Sequence, residues 1–201
     1  MGLIRQGLLG GSFDPVHVAH VALARHALRD LALDRVTLIP AAQPWQRGEL
    51  GAGARQRVDM LAMAIADEPG LEISTIETDR EGPTYTIDTL RALPAGRDYY
   101  WILGADQLEN FCTWHAWEDI ASLAQLAVAA RPGSQPAAPP ALQARLRALG
   151  RRLHRIAMPP IDLSATDIRR RIAQGLTTEG MLHPGVAQYI QRHRLYRHPA
   201  A

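Results

Sequence analysis

The sequence has 201 residues and a mass of 22.1 kDa, the size of one domain with a core of its own. Hydrophobic residues make up 47% of it and charged residues 21%, which is ordinary globular composition and excludes a largely disordered chain. The formal net charge of +2 is too small to indicate a nucleic-acid-binding protein.

Cysteine and lysine usage excludes further classes. Cys112 is the single cysteine, so an intramolecular disulfide and a cysteine metal cluster are both excluded. All 22 Lys+Arg positions are arginine, which excludes a Walker A loop and pyridoxal-phosphate chemistry, because both need a lysine. Neither a signal peptide nor an apolar run long enough to span a membrane is found, so we expect a cytoplasmic protein without membrane contact.

Short apolar runs alternate with amphipathic stretches, which is typical of βαβ units. In chain order the predicted strands are 3–9, 36–39, 71–74, 99–103, 125–129 and 153–158. The predicted helices are 17–31, 55–66, 87–93, 142–151 and 165–174. We therefore expect an α/β protein with one domain over residues 1–201. Its sheet is predicted to be doubly wound, Rossmann-like and parallel, with five or six strands and helices on both faces.

Three further segments are interpreted from composition. Residues 132–140 are rich in proline and alanine and predict a surface loop, because proline fits neither a helix interior nor a sheet. Residues 198–201 are predicted to be a tail. The arginine clusters at 151–155 and 169–171 are interpreted as solvated helix faces rather than a nucleic-acid patch.

The segment GGSFDPVHVAH, residues 10–20, follows the first predicted strand and leads into the first helix. Its glycines let the backbone approach a ligand closely, and free N–H groups at a helix start favour an anion. His17 and His20 lie three residues apart and are expected on one face of that helix. A plain tight turn and a metal-binding His pair are the alternatives. We favour phosphate contact without a dedicated metal site.

A second motif, LSATDIR, occupies residues 163–169. Ser164 stands three residues before Asp167, a variant of the capping box that opens a helix. Thr166 and Arg169 share one face of that helix start, an arrangement suited to a polyphosphate. The alternative is an ordinary helix cap with a surface arginine.

Together the two motifs resemble the patterns GGxFDPxHxGH and ISSTxIR of the nucleotidyltransferase superfamily. Further segments are similar to bacterial nicotinate-nucleotide adenylyltransferases over nearly the whole chain. These segments are ETDREGPTYTIDTL at 77–90, LGADQ at 103–107, Trp114 and Trp117, RPG at 131–133, and the late residues Val186, Tyr189, Leu195 and Tyr196.

The resemblance implies transfer of AMP from ATP to nicotinate mononucleotide in NAD biosynthesis, with Mg²⁺ carried by ATP. The implied catalytic residues are His17, His20 and Arg169. The implied ATP-binding residues are Gly10, Gly11, Ser12, Phe13, Gly104, Asp106, Arg131, Ser164, Thr166 and Arg169. The implied residues for nicotinate mononucleotide are Gln46, Arg47, Thr86, Trp114 and His115. Among these, the Trp114 indole is expected to stack on the pyridine ring, while Thr86 and the His115 backbone N–H meet its carboxylate.

Some positions depart from the family pattern, and some alternatives stay open. Gln46 replaces a family histidine, and Ala19 and Ala165 replace a glycine and a serine. Thr86 and Asp106 could each be a helix cap, and Trp114 could be a core residue. Two rival functions are transfer to another phosphate, such as nicotinamide mononucleotide or phosphopantetheine, and a nucleotide sensor without turnover. A third, a class I tRNA synthetase fragment, is disfavoured because the sequence has no lysine for that family's second signature and no anticodon domain. A homo-oligomer is left open.

Overall fold

The computed structural model describes residues 2–43, 50–80, 82–130, 133 and 136–197. Its strands are β1 Ile4–Gly11, β2 Arg35–Pro40, β3 Leu71–Ile73, β4 Arg97–Leu103, β5 Gln125–Ala130 and β6 Leu153–Ala157. Its first four helices are α1 Val18–Asp30, α2 Ala54–Ala64, α3 Thr86–Ala92 and α4 Ala105–Glu109. The later helices are α5 Trp117–Leu123, α6 Pro140–Ala148, α7 Ala165–Ala173 and α8 Pro184–Arg192, and a 3₁₀ turn, Phe111–Thr113, precedes α5.

The strands form one parallel sheet in the order β3-β2-β1-β4-β5-β6. Leu8 of β1, for example, pairs with Thr37 of β2 on one side and with Trp101 of β4 on the other. The strand order reverses between β1 and β4, which makes this the switch point where doubly wound sheets bind ligands. The predicted fold class and the upper strand count of six are confirmed.

The core covers both faces of this sheet. Tyr100 and Ile102 pack on one face with α1, α2 and α8, whereas Tyr99, Trp101 and Leu103 pack on the other with α3, α5 and α6. Successive side chains of a strand point to opposite faces, so a central strand buried on both sides reads as a continuous apolar run. That run is the signal from which β4 was predicted.

The sequence prediction differs from the structure in several places. Helices α4, α5 and α8 were not predicted. The helix predicted at 142–151 begins at Pro140 and ends at Ala148. Arg151 therefore does not lie on a solvated helix face, and its guanidinium donates to the carbonyls of Ala121 and Ala124 at 2.7 and 2.9 Å.

Other predictions concern segments that the structure describes only in part. Of the predicted loop at 132–140, residues 132, 134 and 135 lie outside the described residues, and Pro140 already belongs to α6. The predicted tail at 198–201 lies outside them entirely. The single-domain, loop and tail assignments stay predictions. Within the described ranges, no helix has the length and apolar character needed to cross a membrane.

Candidate active site

A cavity of about 350 Å³ lies where β1 and β4 end, at the switch point of the sheet. Ten of the residues predicted from the sequence line it: Gly10, Gly11, Ser12, His17, His20, Thr86, Gly104, Asp106, Trp114 and Ser164. Phe13, His115, Thr166 and Arg169 do not line it, although each neighbours a residue or motif that does. The structure thus brings segments from both ends of the chain to one cavity of ligand size.

The two glycines of the first motif have a packing role. A Cβ on Gly10 would lie 2.9 Å from Cζ2 of the buried Trp101 indole, closer than carbon atoms can pack. A Cβ on Gly11 would lie 3.2 Å from the Phe13 ring. The chain needs glycine here to seat these two rings beneath the loop, in addition to any approach of a ligand from above.

His17 and His20 share one end of the cavity, as predicted. His17 is the N-cap of α1, and its backbone N–H donates to Nδ1 of His20 at 3.3 Å. The two imidazoles stack with centroids 3.7 Å apart, and the Phe13 ring meets His20 edge-on at 5.0 Å. This stacking fixes both rings beside the glycine loop.

The His17 ring is neutral in the folded protein at neutral pH. It is only 7% exposed, and its buried Nδ1 has no hydrogen-bond partner within the described part of the chain. Desolvation by burial lowers the pKa of His17 from 6.5 to about 4. A neutral ring carries one N–H, so His17 can meet an anion as a hydrogen-bond donor without bringing a charge of its own.

The second motif reaches the first through Arg169. Ser164 caps α7 as predicted, because its Oγ accepts from the Asp167 backbone N–H at 3.1 Å. One turn later, Nη2 of Arg169 donates to Oγ1 of Thr166 at 3.3 Å, and Nη1 donates to the Asp14 carbonyl at 2.7 Å. The guanidinium therefore lies against the loop that leads to His17.

Gly104 and Asp106 follow β4 at the cavity. Gly104 is the N-cap of α4, so the alternative that Asp106 caps this helix is wrong. A Cβ on Gly104 would lie 2.7 Å from Oδ1 of Asp106, so glycine lets the Asp106 side chain keep this position, whereas another residue would make it rotate away. The Asp106 side chain is exposed and available at the cavity rim.

Trp114 contributes an aromatic wall to the cavity. Its half-buried indole packs against Phe111 with centroids 5.3 Å apart, and its buried Nε1 lacks a hydrogen-bond partner among the described residues. Thr86 is the first residue of α3 and Tyr85 is its N-cap, so the alternative of Thr86 as the cap is wrong. The exposed His115 ring lies 4.9 Å from Tyr85.

Sequence reasoning missed a buried carboxylate in the cavity wall. Glu77 lines the cavity at 5% exposure, and its Oε1 accepts from the Thr89 hydroxyl at 2.7 Å. Arg80 donates to the same hydroxyl oxygen at 2.6 Å. Burial raises the pKa of Glu77. No sequence pattern separated Glu77 from the other acidic residues of its segment.

Asp14, between the glycine loop and His17, was also missed. Its carboxylate is 1% exposed, and Oδ1 accepts from the Tyr196 hydroxyl at 2.7 Å and from the Ala52 N–H at 3.0 Å. Oδ2 accepts from the Gly51 N–H at 2.8 Å. The fully buried Arg57 is part of the same cluster and donates to the Ser12 carbonyl at 2.8 Å. The glycine loop therefore packs on a buried, hydrogen-bonded cluster that contains one carboxylate and one guanidinium.

Three predicted binding residues, Gln46, Arg47 and Arg131, lie outside the described residues. Their roles stay predictions. Across the described ranges, no group of three or more His, Cys, Asp or Glu side chains is arranged to hold a metal ion.

Taken together, the cavity offers a glycine loop at a helix start, two stacked imidazoles, a nearby guanidinium and an aromatic wall. The first three suit phosphates, and the indole suits a flat ring. The cavity thus combines groups suited to phosphates with a group suited to a flat ring.

Comparisons with known proteins agree with this geometry. A family model described as cytidylyltransferase-like matches residues 8–171. A Bordetella pertussis protein named probable nicotinate-nucleotide adenylyltransferase is 56% identical over 98% of this chain and 100% of its own length. A Chromobacterium violaceum protein of the same name is 44% identical over 96% of this chain and 99% of its own. The fold is similar to that of Plasmodium falciparum nicotinic acid mononucleotide adenylyltransferase complexed with NaAD, with a TM-score of 0.78 at 16% identity, covering 97% of this chain and 98% of that one.

Proposed function

The chain belongs to the nicotinate-nucleotide adenylyltransferases of the cytidylyltransferase-like family, and from this we propose the reaction that it catalyses. It transfers AMP from ATP to nicotinate mononucleotide, giving nicotinate adenine dinucleotide and pyrophosphate in NAD biosynthesis. The observation that carries the proposal is that the two phosphate motifs, 155 residues apart at Asp14 and Arg169, meet beside one cavity.

The chemistry requires no nucleophile from the protein. A phosphate oxygen of the mononucleotide attacks the α-phosphorus of ATP, a new P–O bond forms, and the bond to the β-phosphate bridging oxygen breaks to release pyrophosphate. Because both reactants are anions, the protein must bring them together and stabilise the charge that builds in the transition state. Positioning and electrostatics are therefore the whole task.

In this proposal the glycine loop holds the ATP phosphates through backbone N–H groups. His20 and the neutral His17 donate N–H bonds where charge develops, and Arg169, with Thr166, holds the leaving phosphates. Two donations of the Arg169 guanidinium have partners within the described residues, and its side chain remains 30% exposed. That exposure leaves N–H groups for a ligand.

Asp106 at the rim is proposed to bind a ribose hydroxyl, and Ser164 at the start of α7 to bind phosphate. Trp114 stacks on the nicotinate ring, while Thr86 and the His115 N–H donate to its carboxylate. A carboxamide brings its own N–H₂ group to those donors, so this arrangement favours the acid over the amide.

The finer expectations belong to the same proposal. Mg²⁺ enters with ATP as part of the substrate. The enzyme acts in the cytoplasm on ATP and nicotinate mononucleotide, without nucleic acid or membrane partners. Gln46, Arg47 and Arg131 contribute to binding the two nucleotides.

Pyrophosphate release tests the proposal, measured with nicotinate mononucleotide, nicotinamide mononucleotide and phosphopantetheine as acceptors. We expect the highest kcat/KM for nicotinate mononucleotide, and equal values for the acid and the amide would refute the carboxylate discrimination.

His17→Ala should lower kcat at least about tenfold, since it removes a transition-state donor. His26→Ala is the matched control, because His26 lies on the same helix and contacts Arg29 instead of the cavity. Tight ATP binding without turnover would favour a nucleotide sensor.

A further inference from the structure

We propose that Tyr196 is a positioning residue for the triphosphate: its hydroxyl satisfies the Asp14 carboxylate and so leaves Arg169 free to bind the outer phosphates of ATP. The inference rests on the role proposed for Arg169 above. Tyr196 is not among the residues that line the cavity, and the bond that its hydroxyl makes within the described part of the chain goes to Asp14, so we place its effect there.

Three neutral donors surround the Asp14 carboxylate. Oδ1 has two donors, the Tyr196 hydroxyl at 2.7 Å and the Ala52 N–H at 3.0 Å, and Oδ2 has the Gly51 N–H at 2.8 Å. Nη1 of Arg169 forms an ion pair with Oδ2 at 3.8 Å, which is beyond hydrogen-bond distance. Each oxygen of the carboxylate thus already has a neutral donor, and Arg169 pairs with it without a hydrogen bond.

Without the Tyr196 hydroxyl, the Asp14 carboxylate would lack one of its hydrogen-bond donors. Asp14 is buried, and a buried carboxylate that lacks a donor is costly, so it draws the nearest available one. Arg57 is committed to the Ala52, Ser12 and Ala42 carbonyls. Arg169 is the other cation beside Asp14, and closing the 3.8 Å gap would turn its guanidinium away from a ligand.

The setting of Tyr196 suits this role. The side chain is 7% exposed, and its ring packs against the backbone of Gly51, where a Cβ would lie 2.8 Å from the ring carbons. Burial and the neighbouring Asp14 raise the pKa of Tyr196, so the hydroxyl remains a proton donor. Phenylalanine would keep the ring packing and remove only this donor.

Tyr196→Phe tests the inference through the affinities for ATP and AMP, measured by calorimetry. AMP lacks the outer phosphates, so it does not report on Arg169. We expect affinity for ATP to fall about tenfold, the worth of a hydrogen bond to a charged group, and affinity for AMP to stay within about twofold. Tyr189→Phe is the matched control, because Tyr189 lies on α8 and does not line the cavity. This change also removes a tyrosine hydroxyl that donates to a carboxylate, that of Asp59 at 3.0 Å. It should leave both affinities unchanged.

The same comparison in an Arg169→Met background identifies the path of the effect, because methionine leaves no cation at 169 for Asp14 to draw. If Tyr196 acts through Arg169, adding Tyr196→Phe should change ATP affinity there by less than about twofold. Should a variant be too unstable for calorimetry, the rise in its melting temperature with each nucleotide gives the same ratio. Equal losses for ATP and AMP, no loss for either, or an undiminished loss in the Arg169→Met background would overturn the inference. These binding ratios need no turnover, so a wild type that releases no pyrophosphate would refute the proposed reaction alone.

Discussion

The buried His17 ring predicts a specific loss of stability in acid. Above pH 6.5 the imidazole is neutral in both the folded and the unfolded chain, so it contributes no pH dependence. As the pH decreases from 6.5 to about 4, the unfolded chain takes up a proton at His17 that the folded chain does not, so the free energy of unfolding decreases as well. The shift from 6.5 to about 4 corresponds to a total loss of about 3 kcal/mol, complete near pH 4.

Urea unfolding of the wild type and His17→Gln at pH 7, 5 and 4 measures this loss. Other groups titrate in both proteins, so the difference between them isolates residue 17. We expect the wild type to lose about 3 kcal/mol more than His17→Gln between pH 7 and pH 4, from the pKa shift alone. Parallel pH profiles for the two proteins would show that His17 is not buried as described.

Two further predictions concern the support beneath the cavity. Gly10→Ala places a Cβ 2.9 Å from the buried Trp101 ring, so it should cost about 1–3 kcal/mol in urea unfolding and weaken ATP binding. Gly2→Ala, with open space around its Cβ, is the control, and equal stability of the two variants would contradict the packing argument. Arg57→Met removes the buried guanidinium that donates to the Ala52, Ser12 and Ala42 carbonyls and that attracts the Asp14 charge, and it should cost about 3–5 kcal/mol by the same measurement. A loss below about 1 kcal/mol, the worth of one ordinary hydrogen bond, would contradict that role for Arg57.

The central strands of the sheet could be predicted from the sequence because they are buried on both faces. A continuous apolar run such as that of β4 needs no knowledge of its partners to be recognised. Helix α4, with 5 residues, is too short to show a helical period, whereas α5 was missed although α3, which also has 7 residues, was predicted. Helix α8 did carry signals, a proline at its start and the apolar pair Val186 and Ile190 at i and i+4, which sequence reasoning left unused.

The candidate site was predictable to the extent that its parts are local motifs. The glycine turn, the histidine pair and the capped start of α7 each lie within a few residues of sequence, so spacing alone places their side chains on one face. Asp14 and Tyr196 could not be paired in this way, because their bond joins positions 182 residues apart. The burial of Glu77 could not be predicted either, because it depends on the packing around the cavity and not on a local sequence pattern.

The distance along the chain between Asp14 and Tyr196 has a consequence for synthesis in the cell. A ribosome has translated every strand of the sheet once it has passed Ala157. The hydroxyl that completes the Asp14 cluster is made 39 codons later, as the positions of Ala157 and Tyr196 give directly. A message truncated between those two codons would therefore encode every strand of the sheet and leave the Asp14 carboxylate without its hydroxyl donor.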